Sequence, residues 1–266
     1  MRSWLWLLLL PTLLFACSAP GEAGGSADGP GAAGSGSGGG SSVGASGGSA
    51  GSTLSPLGRE RCRAPAGVSS APRSIQEVLL LLNALPKPTS VACFVESLAR
   101  PLGVSATSSH TSAQPALSFE SPRVFIKLDG MWLSVVIDGE SSYLIELGEF
   151  LPDTTTHSIK GELLLPISSP LAPSAPFDRV QFNQGTVCGA CHLEETRVDS
   201  ITFAAAFSSV TFRPRPDTHV GVDDLRAQYQ ACNWQLEPHR CEMLSAVFGG
   251  GTVEEAPFPT SMNTFF

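Results

Sequence analysis

The chain has 266 residues and carries 16 basic against 24 acidic side chains, a net charge of −8 that argues against nucleic acid or an anionic membrane surface as an electrostatic partner. Its length allows one domain of ordinary size with additional segments. Seven cysteines are many for a reducing compartment, so their use turns on whether the protein is exported.

The first 17 residues bear on that question. Met1-Arg2-Ser3 gives a short basic start, and residues 4–15 are apolar apart from Thr12, with Pro11 interrupting them. A run of about a dozen residues is too short to cross a bilayer core as a helix and fits the apolar region of a secretory signal. It ends in Leu14-Phe15-Ala16-Cys17, which resembles the lipobox of bacterial lipoproteins. The resemblance implies that Cys17 is acylated, palmitate included, and becomes a mature N-terminus held in the lipid bilayer. Ser18 follows where an aspartate would mark inner-membrane retention, so the outer membrane or cell surface is expected. A plain cleaved signal peptide is the alternative. Residues 18–57 are mostly Gly, Ser and Ala with little to bury, a disordered linker with an average span of roughly 35 Å.

Residues 58–266 are expected to form a single α+β domain. Ser74, with Glu77 three positions later, forms a capping box ahead of an apolar helix that Pro86 and Pro88 terminate. A second helix over 92–100 is stopped by Pro101, and Cys62 with Cys93 is a candidate disulfide tying this region together. From residue 119 the period changes to two. Val124, Ile126 and Leu128 alternate with Arg123, Phe125 and Lys127, Asp129-Gly130 makes a tight turn, and further strands are expected over 132–137, 142–147 and 159–167. This pattern predicts an antiparallel meander or part of a sandwich with one buried face. One or two more strands over 201–212 precede helices over 222–231 and 239–248. Gly249-Gly250-Gly251 ends the last helix, and the C-terminal residues form a final strand or a docked tail.

Cys188-Gly189-Ala190-Cys191-His192 is the stretch with the most specific chemistry. Two thiols flanking two small residues, with an imidazole next in line, can form thioethers to one porphyrin and place a ligand under its iron. In this the segment resembles c-type cytochromes. The resemblance implies a covalent haem c on Cys188 and Cys191, with Gly189 and Ala190 leaving room for the ring and His192 as proximal metal ligand. Met243 is the expected sixth ligand, with core packing as its alternative, and His219 and His239 are further candidates. Cys232 and Cys241 are then left to pair with each other. Two other arrangements remain open: disulfides from Cys188 and Cys191 to Cys232 and Cys241, or zinc or an iron–sulfur cluster on all four. The expected strands after His192 depart from the helical fold of small c-type cytochromes, and the alternating strand–helix pattern of a thioredoxin-like exchange site is absent.

Outside the Gly/Ser-rich linker no Gly-x-Ser-x-Gly elbow is present, and the chain has no His-Glu-x-x-His pair or phosphate loop, so no enzyme class is indicated. Two functions follow. The first is a membrane-anchored lipoprotein whose single haem carries or senses electrons, with an envelope or redox protein as partner. The second is a disulfide-stapled, cofactor-free envelope lipoprotein acting as a binding or structural module.

Overall fold

The computed structural model describes residues 60–265. The expected signal segment with Cys17 and the linker over 18–57 lie outside the described residues.

Helix α1 (Ile75–Ala84) starts at Ser74, whose hydroxyl accepts from the Glu77 N–H at 3.2 Å. The Glu77 carboxylate reaches back to the Arg73 N–H at 2.8 Å, one residue earlier than in the usual capping box. Helix α2 (Val91–Ser97) starts at Ser90 and stops at Leu98, which is extended, so it ends before the 100 that Pro101 alone suggests. Strand β1 (Leu102–Thr107) follows, where no strand was expected. Then come β2 (Arg123–Leu128), β3 (Met131–Val136), β4 (Leu144–Phe150) and β5 (His157–Leu164). Gly130, at φ +81, makes the first turn of this meander in a conformation that side chains rarely adopt.

Short elements carry the chain onward: α3 (Ala175–Val180), the hairpin β6 (Gln181–Phe182) and β7 (Gly185–Thr186), β8 (Thr196–Arg197), β9 (Phe207–Val210), β10 (Phe212–Arg213) and β11 (His219–Val220). Helices α4 (Val222–Ala231) and α5 (Pro238–Phe248) come next, then β12 (Val253–Glu255) and β13 (Asn263–Thr264). The main sheet has nine strands, in the order β11-β1-β2-β3-β4-β5-β9-β8, with β12 parallel to the first half of β1. The expected α+β class and meander are therefore present, and the C-terminal helices close the fold. Among the described residues no helix is long and apolar enough to cross a membrane.

The register gives the sheet two unlike faces. Val104, Ile126, Leu133, Leu147 and Leu163 share one face, buried in a single core with Val78, Leu82, Phe94, Met243 and Leu244 of the helices. Phe94 is fully buried between them. Arg100 donates to the Ala246 carbonyl at the last turn of α5 at 2.7 Å, and Arg61 to Ser245 O at 3.4 Å. Arg100 thereby satisfies a last-turn carbonyl, and Arg61 adds a second donor to the Ser245 carbonyl, which also accepts from Gly249 N at 2.8 Å. The triple glycine makes room for these arginines: a Cβ on Gly249 would stand 2.3 Å from Arg61 Nη2, and one on Gly250 would stand 3.0 Å from Arg100 Nη2.

Two disulfides staple the helical layer, Cys62–Cys93 across 31 residues and Cys232–Cys241 across 9. The second bond excludes both a crosslink from Cys188 and Cys191 to this pair and a four-cysteine metal site. Removing Cys62–Cys93 by double serine substitution is expected to lower unfolding free energy by about 3–4 kcal/mol, and removing Cys232–Cys241 by about 2.5–3 kcal/mol, following loop-closure entropy. Phe94→Ala should cost about 3–5 kcal/mol. Urea titrations of the oxidised variants check all three.

Candidate functional site

The second face of the sheet is polar at its centre and, among the described residues, lacks a helical layer. Its side chains lie in rows fixed by register: Lys127, Trp132, Gly148 and Lys160 form one, and Phe125, Ser134, Glu146 and Glu162 the next. Ser158 and Ser209 pair across β5 and β9 on the same side. Three irregular segments cover this face.

The first cover is the loop between β1 and β2. Its Gln114, fully buried, donates to the Leu144 carbonyl at 2.9 Å and accepts from Ser134 Oγ at 2.9 Å. Arg123 donates to Ser134 Oγ at 2.9 Å, pairs with Glu146, and sets its guanidinium 4.7 Å from the Phe125 ring centroid. The second cover is the C-terminal tail. Phe258 stacks on Trp132, with centroids 4.6 Å apart and planes 9° from parallel, and meets Phe125 edge-on at 5.0 Å.

The third cover is the Cys-x-x-Cys-His segment. Cys191 N and His192 N both donate to the Cys188 carbonyl, at 3.1 and 2.8 Å, making a tight helical turn. His192 Nδ1 donates to the Val210 carbonyl at 2.7 Å, and its ring lies 5.6 Å from Phe212 and 6.5 Å from Phe265. A carbonyl can only accept, so this bond places the proton on Nδ1 and leaves Nε2 bare. Glu195 returns to the turn, accepting from Thr186 N at 2.8 Å and from the Thr186 hydroxyl. Its carboxyl carbon stands 3.0 Å from where a Gly189 Cβ would be.

These contacts overturn the haem assignment. The space beside Gly189 that the porphyrin would need is filled by Glu195. His192 is tied down by a backbone carbonyl and two aromatic rings, and Met243 is fully buried in the core on the helical side of the sheet. The other candidates are engaged elsewhere: His239 stacks on Tyr143 and meets Ser142 Oγ at 2.8 Å, and His219 lies 3.6 Å from Glu255. His157 faces Glu194 at 3.2 Å. Among the described residues no group of three or more His, Cys, Asp or Glu is placed to hold a metal ion. No family model, curated protein or solved structure matches the chain. The resemblances to bacterial lipoproteins and to c-type cytochromes are corrected accordingly, with Cys17 lying outside the described residues. The expected Cys62–Cys93 and Cys232–Cys241 disulfides are both present, as an oxidising compartment favours.

What the turn does cover is Lys160, a residue the motif-based reading missed. Lys160 is 8% exposed, and its ammonium donates to Ser158 Oγ at 2.8 Å and to the Val210 carbonyl at 3.3 Å, the carbonyl that also receives His192. Burial lowers its pKa to about 8, with the charge of Glu146 acting in the opposite sense. Burial together with the Lys160 charge drives His192 down to about 3, so the ring is neutral at physiological pH. Burial pushes the Cys188 thiol up to about 11, which leaves scarcely any thiolate for exchange or metal binding. The only sequence signal for Lys160 was its place in an alternating strand among polar neighbours.

Two stability effects follow. Between pH 6.5 and about 3 the unfolded chain protonates His192 and the fold does not, so acidification destabilises the protein in this window, by up to about 1.4 kcal/mol per pH unit. His192→Gln should reduce that slope in urea midpoints measured from pH 6.5 to 4. Below about pH 8 the fold carries a buried ammonium held by neutral acceptors, so Lys160→Met should raise stability at pH 7, by about 1–3 kcal/mol. A destabilised Lys160→Met variant would contradict this account.

Proposed function

We propose that the protein is an exported, disulfide-stapled binding module whose polar sheet face holds a small ligand. The carrying observation is the row Trp132-Gly148-Lys160. Gly148, half-buried, stands between the Trp132 ring and the buried Lys160 cation, which has no ion pair among the described residues, and Ser158 packs closely beside it. The atoms nearest to where its Cβ would stand are Ser158 Oγ at 3.1 Å, Ser158 Cβ at 3.7 Å and the Trp132 carbonyl at 3.8 Å. An apolar wall beside a few convergent polar groups on a rigid scaffold is the usual make-up of a small-molecule site. The two disulfides supply that rigidity and suit an exported protein. The high pKa of Cys188 argues against thiol exchange as the activity.

A chemically mixed panel of small organic acids, amines and neutral aromatics, followed by thermal shift and tryptophan fluorescence on the oxidised full chain, tests this. At least one class should give saturable one-to-one binding that Trp132→Leu weakens roughly tenfold or more, a scale set by loss of an aromatic contact. A panel with no saturable binder would overturn the reading. In the same preparation, peptide mapping should find both disulfides, and Cys188 should alkylate at pH 7.5 at least about tenfold more slowly in the folded than in the urea-unfolded chain.

A further inference from the structure

We propose that residues 257–261 form a strap over a seat for a flat aromatic group, that Phe258 fills this seat within the chain itself, and that a ligand enters as the strap lifts. This rests on the binding-module reading and names its ligand class and the way in.

The first observation is the seat. Phe125 and Trp132, on neighbouring strands, turn their rings to the looped face with centroids 6.4 Å apart and planes at 71°. Phe258 lies flat on the one and edge-on to the other, so a single ring is held by the two arrangements that aromatic pairs favour. Trp132 is 7% exposed beneath it, whereas Phe258 is only half-buried and borders solvent. The present occupant is a phenyl group, so the seat has the dimensions of one ring and becomes available when Phe258 moves out.

The second observation is how that occupant is held. The strap is tied at both ends: Ala256 N donates to the Val104 carbonyl at 2.8 Å, and beyond buried Met262 the strand β13 pairs with β10. Between these ties the one backbone hydrogen bond among the described residues is internal, from Met262 N to the Pro259 carbonyl at 3.1 Å. Pro257 and Pro259 have no N–H to offer the sheet, and Pro257, Thr260 and Ser261 are exposed. A single side-chain bond reaches the fold from the middle of the strap, between Ser261 Oγ and Thr155 Oγ1 at 3.0 Å.

The other two covers are fastened differently. Gln114 donates to the Ser141 and Leu144 carbonyls, and the Cys-x-x-Cys-His turn is bonded through His192 and Glu195. Segments with few buried contacts and no backbone bonds to the body open at low free-energy cost, and of the three covers the strap meets this description. Phe258 thereby acts as a resident competitor. It keeps aromatic surface covered in the absence of ligand, and it reduces apparent affinity by the fraction of molecules in which the seat is open.

Indole is the probe, titrated by calorimetry into the oxidised full chain. The rate at which an indole-selective reagent modifies Trp132, located by peptide mapping, reads the opening without any ligand. Thr155→Cys combined with Ser261→Cys pins the strap by a disulfide, since the two hydroxyls it replaces already lie 3.0 Å apart. Indole should bind the parent chain one to one, Phe258→Ala at least about tenfold more tightly, and the pinned chain at least about tenfold more weakly. Trp132 modification should follow the same order, and Ser261→Cys alone should behave as the parent. Where Phe258→Ala proves too unstable, Phe258→Leu keeps an apolar side chain and should still bind indole more tightly than the parent. Indole that saturates none of these chains would overturn the seat. A pinned chain that binds indole, or modifies Trp132, as readily as the parent would overturn the strap. A ligand of another class that binds parent and pinned chains alike would leave the binding module standing without this device, whereas a mixed panel with no binder overturns both.

Discussion

The period-two register of β2 to β5 is the constraint from which the rest of this structure follows. It puts Val124, Ile126, Leu133, Leu147 and Leu163 on one side and Arg123, Ser134, Glu146 and Lys160 on the other. A slip of one residue in any strand would exchange the two sets. The helices α1, α2 and α5 join the apolar side in a single core. The other side is closed by loops, and a loop laid over a sheet brings backbone groups that must find partners. Gln114 meets this need for one loop, donating to two carbonyls and accepting from Ser134. Glu195 meets it for another, and the tail over Trp132 relies on ring stacking instead.

This division of labour separates stability from binding. The helical side carries the large buried side chains, the disulfides and the arginine-capped end of α5. The looped side carries the features that work against folding, among them a buried lysine with neutral acceptors and the Ser209 hydroxyl, which has no partner among the described residues. Each is unfavourable by itself, the lysine by burial of its charge and the serine by an unmade hydrogen bond. They share one corner of the sheet. Local choices that work against the fold are expected where a protein gives up stability for another end.

Much of the architecture was legible in the sequence because it is built from strong local signals. Helix α4 runs over the expected 222–231, and α5 differs at its start by one residue because Pro238 is accepted in the first turn. The meander and the Asp129-Gly130 turn follow from alternation alone. Strand β1 was not legible. Leu-Gly-Val-Ser-Ala-Thr is short and interrupted by glycine, and it is held by partners from β2, β11 and β12, two of them more than a hundred residues away. Helix α3 was hidden in a proline-rich connection where Pro176 takes a first-turn position. For the site, spacing displayed the thiols and the imidazole of residues 188–192 but not their surroundings. Nothing in the order of residues indicated that Glu195 would fold back beside Gly189, or that the turn would bury Lys160.

The Cys-x-x-Cys-His turn acts through the environment it creates. His192 and Lys160 donate to the same Val210 carbonyl, at 2.7 and 3.3 Å. Two cations on one carbonyl would repel each other in a setting with little water to screen them, so the pair supports a single charge. That charge falls to Lys160, because an amine starts from a much higher intrinsic pKa than an imidazole and can lose more of it before deprotonating. The histidine therefore serves as a neutral donor that fixes the turn over β9, and its own protonation is suppressed by the ammonium it helps to bury. Taking this turn away would rehydrate Lys160, which would raise its pKa. In this way a sequence element that displays thiols and an imidazole sets the electrostatics of a lysine that its own chemistry never touches.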